Sequence, residues 1–322
     1  TTGFLSSPFE GLGRDASNPQ AKLTTRLQAK LHAPIIEDYL TATRVFVETE
    51  LDRRSKVREA FLYTEKYAST KHFLTANPSR AGAFSNSDMQ TAICSYLGLP
   101  IPLCLLHRNI HLPSGNDQLH LDIYGDNIAK ATHISGPANT TRHNNILQLL
   151  AEFCQQAGAD YSIEDTTAFA AARDPRSASH LPPIIPDLLL SSSHNEKLLD
   201  VKVIGPGTSW LRGGTELDAM ERRAASVTVE YERKAHANDQ AINSNLTTEI
   251  LESLGGAIGL VCGPRGEYSK SLDVLTLSLA ENAAKNRWNL MGAESIQEAK
   301  SMIRNTFRRR LGTIIVKEQS KW

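Results

Sequence analysis

The stretch IIPDLLLSSSHNEKLLDVKV, residues 184–203, constrains the fold more than any other part of the chain. It holds two short apolar runs separated by a polar segment, with Pro186-Asp187 heading the first and Asp200-Val201-Lys202 inside the second. Runs of this length bounded by turn-forming residues read as strands. Side chains alternate along a strand, so Asp200 and Lys202 share one face while Leu199, Val201 and Val203 share the other. A hairpin turn within LLSSSHNEKL would bring Asp187 toward Asp200 on the neighbouring strand. Two carboxylates placed together repel unless a cation lies between them, and a divalent metal is the common solution.

Composition bounds what such a site can belong to. The chain has 322 residues, enough for one large domain or two modest ones. At 40% hydrophobic and 22% charged residues it has the balance of an ordinary globular protein. Formal net charge is zero, so any polyanion partner must be met by a local basic surface. Residues 281–322 carry such an excess, nine Lys/Arg against four Glu, with the run Arg308-Arg309-Arg310. The four cysteines, Cys94, Cys104, Cys154 and Cys262, form no CxxC pair, which fits a reducing compartment better than a disulfide framework. No run approaches the roughly 18 apolar residues of a membrane span, and no secretory signal opens the sequence. A soluble, intracellular protein without membrane partners is expected.

Along the chain, residues 1–18 read as an irregular leader and residues 19–75 as two or three helices broken near Pro34. Ser87 is placed to cap a helix that ends at Gly98. Residues 103–140 look irregular, apart from a short strand through Leu119, Leu121 and Ile123. A helix is expected over 142–157, with the stripe Ile146, Leu149, Leu150, Phe153 and Ala157, closed by Gly158. A second long helix spans about 215–237, Ala257–Cys262 reads as a buried strand, and 270–287 and 295–310 as helices. The order is helix, strand, strand, strand, helix, strand, helix, which gives an α/β fold with a mixed sheet flanked by helices.

Asp187, Asp200 and Lys202 resemble the signature of the PD-(D/E)XK, restriction-endonuclease-like superfamily. A narrower similarity surrounds them in the order AICSYLGLPIP (92–102), LDIYGDN (121–127), TRHNNILQLL (141–150), IIPDLLL and LLDVKV. This order resembles the C-terminal endonuclease region of non-LTR retrotransposon proteins, over roughly residues 75–290. The resemblance implies a helical N-terminal region over 1–80 and a linker with a degenerate knuckle-like segment over 81–140. It places the nuclease domain over 141–322. It implies DNA as partner, a polymerase or larger element-encoded protein as neighbour, and a nuclear location in a eukaryotic host. The family's knuckle uses Cys and His ligands, of which only Cys104 and His107 stand in place; Asn127 and Ala131 occupy the other positions. His120 and His133 are the nearest substitutes. Tetrahedral zinc needs four convergent ligands, so no structural zinc is expected.

Hydrolysis of a phosphodiester requires an activated water and stabilisation of charge on the phosphate. Asp187, Asp200 and the Val201 carbonyl are candidate ligands for Mg²⁺ or Mn²⁺, since oxygen ligands favour these ions over zinc. Lys202 is placed beside the water and phosphate, and Glu164, just before the first strand, is a candidate third carboxylate. Arg142 and His143, at the expected start of their helix, could bind phosphate with the free N–H groups there. Arg222, Arg223, Tyr231 and Lys234 could follow a DNA backbone, and Trp210 could stack on a base. A metal-dependent DNA endonuclease is the expected activity. The alternatives are a silent nucleic-acid-binding module and a structure-specific junction resolvase acting as a homodimer.

Overall fold

Strand β4 (Leu188–Ser192) and strand β5 (Asn195–Val203) form the antiparallel hairpin around which the computed structural model is built. The structure describes residues 60, 68–76, 83–113, 119–128, 131–172, 183–192, 195–205 and 217–321. All of them belong to one compact unit, Glu59–Trp322. The helices expected over 19–75 fall mostly outside the described residues, as does Trp210. Within that region the 3-10 segment Ala68–Thr75 is described.

Before the hairpin come helix α1 (Asn86–Leu97), the single turn α2 (Pro102–Leu106), and a two-stranded antiparallel sheet of β1 (His111–Leu112) and β2 (Leu119–His120). Helix α3 (Thr132–Ala157) and strand β3 (Asp160–Ile163) then lead into β4. After β5 follow α4 (Leu217–Ile242), α5 (Leu246–Ser253), β6 (Ala257–Cys262), α6 (Lys270–Arg287) and α7 (Ile296–Ser320). The main sheet has the order β3-β4-β5-β6, with β5 and β6 parallel and the other pairs antiparallel. The chain is therefore mixed α/β, with one mixed four-stranded sheet. Among the described residues no helix is long and apolar enough to cross a membrane.

Strand alternation divides the core. Leu188, Leu199, Val201, Leu260 and Cys262 pack on one face against α3, α6 and α7, through residues such as Ile146, Leu150, Leu279, Phe307 and Leu311. The Phe153 and Phe307 rings meet at 4.8 Å between centroids. Leu189, Leu198 and Ala257 face the other way, against Val227, Tyr231 and Ala235 of α4 and Leu251 of α5. Burying each such side chain contributes roughly 1.5–3 kcal/mol, and a β-strand covered on both faces reads as a continuous apolar run. The outer edge of β6 is closed by chain that turns back on it: Ser269 N–H donates to Val261 O, and Ser269 Oγ accepts from Val261 N–H.

Several boundaries differ from expectation. Ser85, not Ser87, caps α1, in a reciprocal box with Asp88. Leu121 and Ile123 lie outside strand structure, their backbones bonded instead to Ile110, Asn109 and Ile101. Helix α7 continues ten residues beyond 310, because Leu311, Ile315 and Val316 prolong its buried stripe. Helix α3 begins ten residues earlier than expected and runs through Pro137. Pro137 falls in the second turn of this helix, where its missing N–H leaves out one bond to the carbonyl four residues back.

Strand β6 and helix α4 approach closely at Gly259. A Cβ there would lie 2.7 Å from Ala224 O and 2.8 Å from Ala224 Cα on α4. Both are backbone atoms, so the helix would have to move. Gly259→Ala should therefore lower stability by about 1–3 kcal/mol, read as a lower urea midpoint at unchanged slope; a midpoint equal to that of the unsubstituted protein would show that α4 shifts without cost.

Candidate functional site: two carboxylates at the end of the central hairpin

The register of the hairpin pairs Leu188 with Leu199. Extending it by one residue sets Asp187 opposite Asp200, and by two sets Pro186 opposite Val201. Residues directly across an antiparallel pair project on the same face, so the two carboxylates stand side by side on the α4 face. Proline has no N–H, so Pro186 cannot donate the next ladder bond. Val201 N–H, for its part, donates to the side chain of Asp187, at 2.6 Å from Oδ2. A strand residue directs its N–H and C=O to the same side, so the Val201 carbonyl also faces this edge, opposite a residue without a donor.

Each carboxylate has further fixed partners. His143 Nε2 of α3 lies 3.0 Å from Asp187 Oδ2. Asp200 is 3% exposed. Its Oδ1 accepts a hydrogen bond from the Tyr231 hydroxyl on α4 at 3.0 Å. Its Oδ2 is buried, with Lys202 Nζ in ion contact at 2.6 Å. Burial, and then the neighbouring Asp187 charge, push the Asp200 carboxyl up, against the lowering influence of Lys202 and Tyr231. Burial and the same carboxylate hold the Tyr231 hydroxyl protonated far above its usual range. The Asp187 hydrogen bond raises His143, outweighing its desolvation.

Helix α4 adds a polar rim. Lys234 Nζ sits 5.0 Å from the Tyr231 ring centroid. Glu230 pairs with Arg223. Burial pushes Glu230 up, but the Arg223 hydrogen bond and the nearby Arg223, Lys202 and Lys234 charges hold it below the usual range. Arg222 is exposed on the same helix.

The structure thus brings together Asp187, Asp200, Lys202, His143, Tyr231 and the Val201 backbone. Two residues expected at a nucleic-acid surface are placed otherwise. Arg142 is 1% exposed and turns away from the carboxylates, bonding Asn139 Oδ1 at 2.8 Å. Burial lowers its pKa to about 10, opposed by the charges of Cys262 and Glu318. Tyr231 is 2% exposed, so its hydroxyl serves Asp200 rather than a DNA backbone. Because α3 begins at Thr132, Arg142 and His143 lie in its third turn, and the free N–H groups of a helix end are not beside them. Glu164 is exposed, has φ 48°, and donates its backbone N–H to Asp187 O at 3.1 Å.

The sequence reading missed the Tyr231–Asp200 bond and the contribution of Glu230. The i, i+4, i+8 stripe Val227, Tyr231, Ala235 was the available signal for a buried hydroxyl facing the sheet. In the knuckle-like segment, Asp122 organises the loop by accepting N–H bonds from Tyr124, Asp126 and Asn127 at 2.9, 3.2 and 2.6 Å. The Cys104 thiol is pushed up to about 11 by burial, then by Asp122 and Asp126, and His107 is exposed. Among the described residues no three His, Cys, Asp or Glu side chains converge on one point; at the hairpin two carboxylates and the Val201 carbonyl share one edge. Compared with protein-family models and with curated proteins, the chain matches none.

The His143–Asp187 contact has a pH signature. A histidine whose pKa is raised on folding contributes stability that is full below its unfolded value, near 6.5, and is lost as pH rises through the folded value. In EDTA, the stability difference between the unsubstituted protein and His143→Gln should be largest below about pH 6.5 and should shrink as pH rises above it. Urea titrations from acidic to alkaline pH measure this; a pH-independent difference would mean the contact does not depend on the imidazolium.

Proposed function

We propose that the chain is a metal-dependent endonuclease that hydrolyses phosphodiester bonds in DNA, with a restriction-endonuclease-like core. The observation that carries this reading is the cross-strand pair Asp187–Asp200 with Lys202 two residues on, at the point where Pro186 ends the hairpin ladder. A buried carboxylate oxygen whose neighbour is a lysine ammonium, next to a second carboxylate and a backbone carbonyl, belongs to a donor set suited to a hard divalent cation. Asp187, Asp200 and the Val201 carbonyl would hold Mg²⁺ or Mn²⁺, which when bound supplies Lewis-acid activation of water and phosphate.

The protein's own groups do the remainder. Asp200 is oriented by Tyr231, and Asp187 by Val201 N–H and His143. Lys202 is 31% exposed at its side chain and can reach from the acidic pair toward a phosphate outside. Lys234 and Arg223, on the flank of α4 beside Tyr231, would supply cations along the rim for the flanking backbone, a positioning role without sequence preference, whereas Arg222 lies half a turn round the helix from Tyr231. The order of the short motifs supports a mobile-element setting, in which a nick leaving a 3′-OH could prime DNA synthesis.

Incubation of supercoiled plasmid with Mg²⁺, Mn²⁺ or EDTA tests the reading. Metal-dependent nicking or cutting is expected, falling to background in Asp187→Ala and Asp200→Ala and by roughly a hundredfold or more in Lys202→Ala. Cleavage retained in both aspartate variants would remove the reading. A folded protein that retards DNA but never cleaves it would replace it with a binding module, and a strong preference for branched DNA by a dimer would point to a resolvase.

A further inference from the structure

The hydrogen bonds around the acidic pair assign its four carboxylate oxygens different tasks. Asp187 Oδ2 is used twice, by Val201 N–H and by His143. Asp200 Oδ1 is used by Tyr231. Asp200 Oδ2 has only the Lys202 ammonium beside it, in ion contact at 2.6 Å. The oxygens left to a cation are Asp187 Oδ1 and Asp200 Oδ2, with the Val201 carbonyl on the same edge.

We infer that Lys202 is a placeholder: its ammonium occupies the cation position of the acidic pair, and a divalent ion takes Asp200 Oδ2 by displacing it. This deepens the endonuclease reading and rests on it. The physical grounds are local. Asp200 is nearly sealed from water and has a like charge across the strand, so its ionised form needs a cation in contact. Lys202 lies on the same strand face two residues away and supplies that cation. Its four-carbon stem is flexible, and its side chain is 31% exposed, so the ammonium can leave Oδ2 without any movement of the backbone. Tyr231, by contrast, is rigid and 2% exposed, and keeps Oδ1 in place during the exchange. The arrangement couples two events: filling the acidic pair and freeing a cationic side chain toward the rim where a phosphate would lie. Lys202 then has one role before the ion arrives and another after it.

The test is calorimetric titration of Mn²⁺ and Mg²⁺ into the protein without DNA, comparing the unsubstituted chain with Lys202→Met and Lys202→Arg. Lys202→Met retains the stem but has no ammonium to displace, so it should bind the ion more tightly, on the order of tenfold. Lys202→Arg keeps a competing cation and should not show this gain. Thermal melts in EDTA give a second readout: Lys202→Met should melt lower than the unsubstituted protein and gain more on adding Mn²⁺. If Lys202→Met does not fold, Lys202→Gln serves for both measurements. Equal or weaker ion binding by the neutral variant overturns the placeholder role and leaves the metal site standing. Absence of ion binding by every folded protein, the unsubstituted chain included, overturns the metal-dependent reading itself.

Discussion

The hydrogen bond from Val201 N–H to the Asp187 carboxylate is the contact on which the rest of the site depends. It takes up the Val201 N–H that a regular ladder would give to the Pro186 carbonyl, while Pro186, having no N–H, leaves the Val201 carbonyl without its ladder donor. The two departures act together. Regular pairing stops at Leu188–Leu199, a side-chain carboxylate is held at the strand edge, and a carbonyl shares that edge with it.

The core on both faces makes this interruption tolerable. Leu188, Leu199 and Val201 are held from the α3, α6 and α7 side. Leu189 and Leu198 are held from the α4 side. The hairpin therefore cannot slip in register to repair its ladder without moving every buried side chain to the opposite face. Packing supplies the rigidity; the proline supplies the gap. The α4 helix has a further part, since its close seat on Gly259 fixes the distance from which Tyr231 reaches Asp200.

The hairpin, the strand at Ala257–Cys262 and the helices at 142–157 and 270–287 were legible because their periodicity is strong and local. Asp187, Asp200 and Lys202 were legible for the same reason: period-two alternation and a single turn fix their relations. The start of α3 was not, since the residues before Arg142 carry no apolar stripe and hold a proline, Pro137, that the helix runs through. Nor was the partnership of Tyr231 with Asp200, thirty-one residues apart, which depends on the angle at which α4 crosses the sheet. The burial of Arg142 was hidden by its neighbour. Adjacent residues on a helix point about a hundred degrees apart, so one basic dipeptide supplies a contact to the site at His143 and a core residue at Arg142.

That buried guanidinium is felt by the final helix. Arg142 lies in the electrostatic field of Glu318, which is 7% exposed in the last turn of α7 and also pairs with Lys321. The helix that carries His143 to the acidic pair is thereby influenced by a carboxylate two residues from the end of α7. Neutralising Glu318 is therefore not a neutral edit on a remote helix. It changes the field around a buried guanidinium whose chain neighbour, His143, reaches the hairpin.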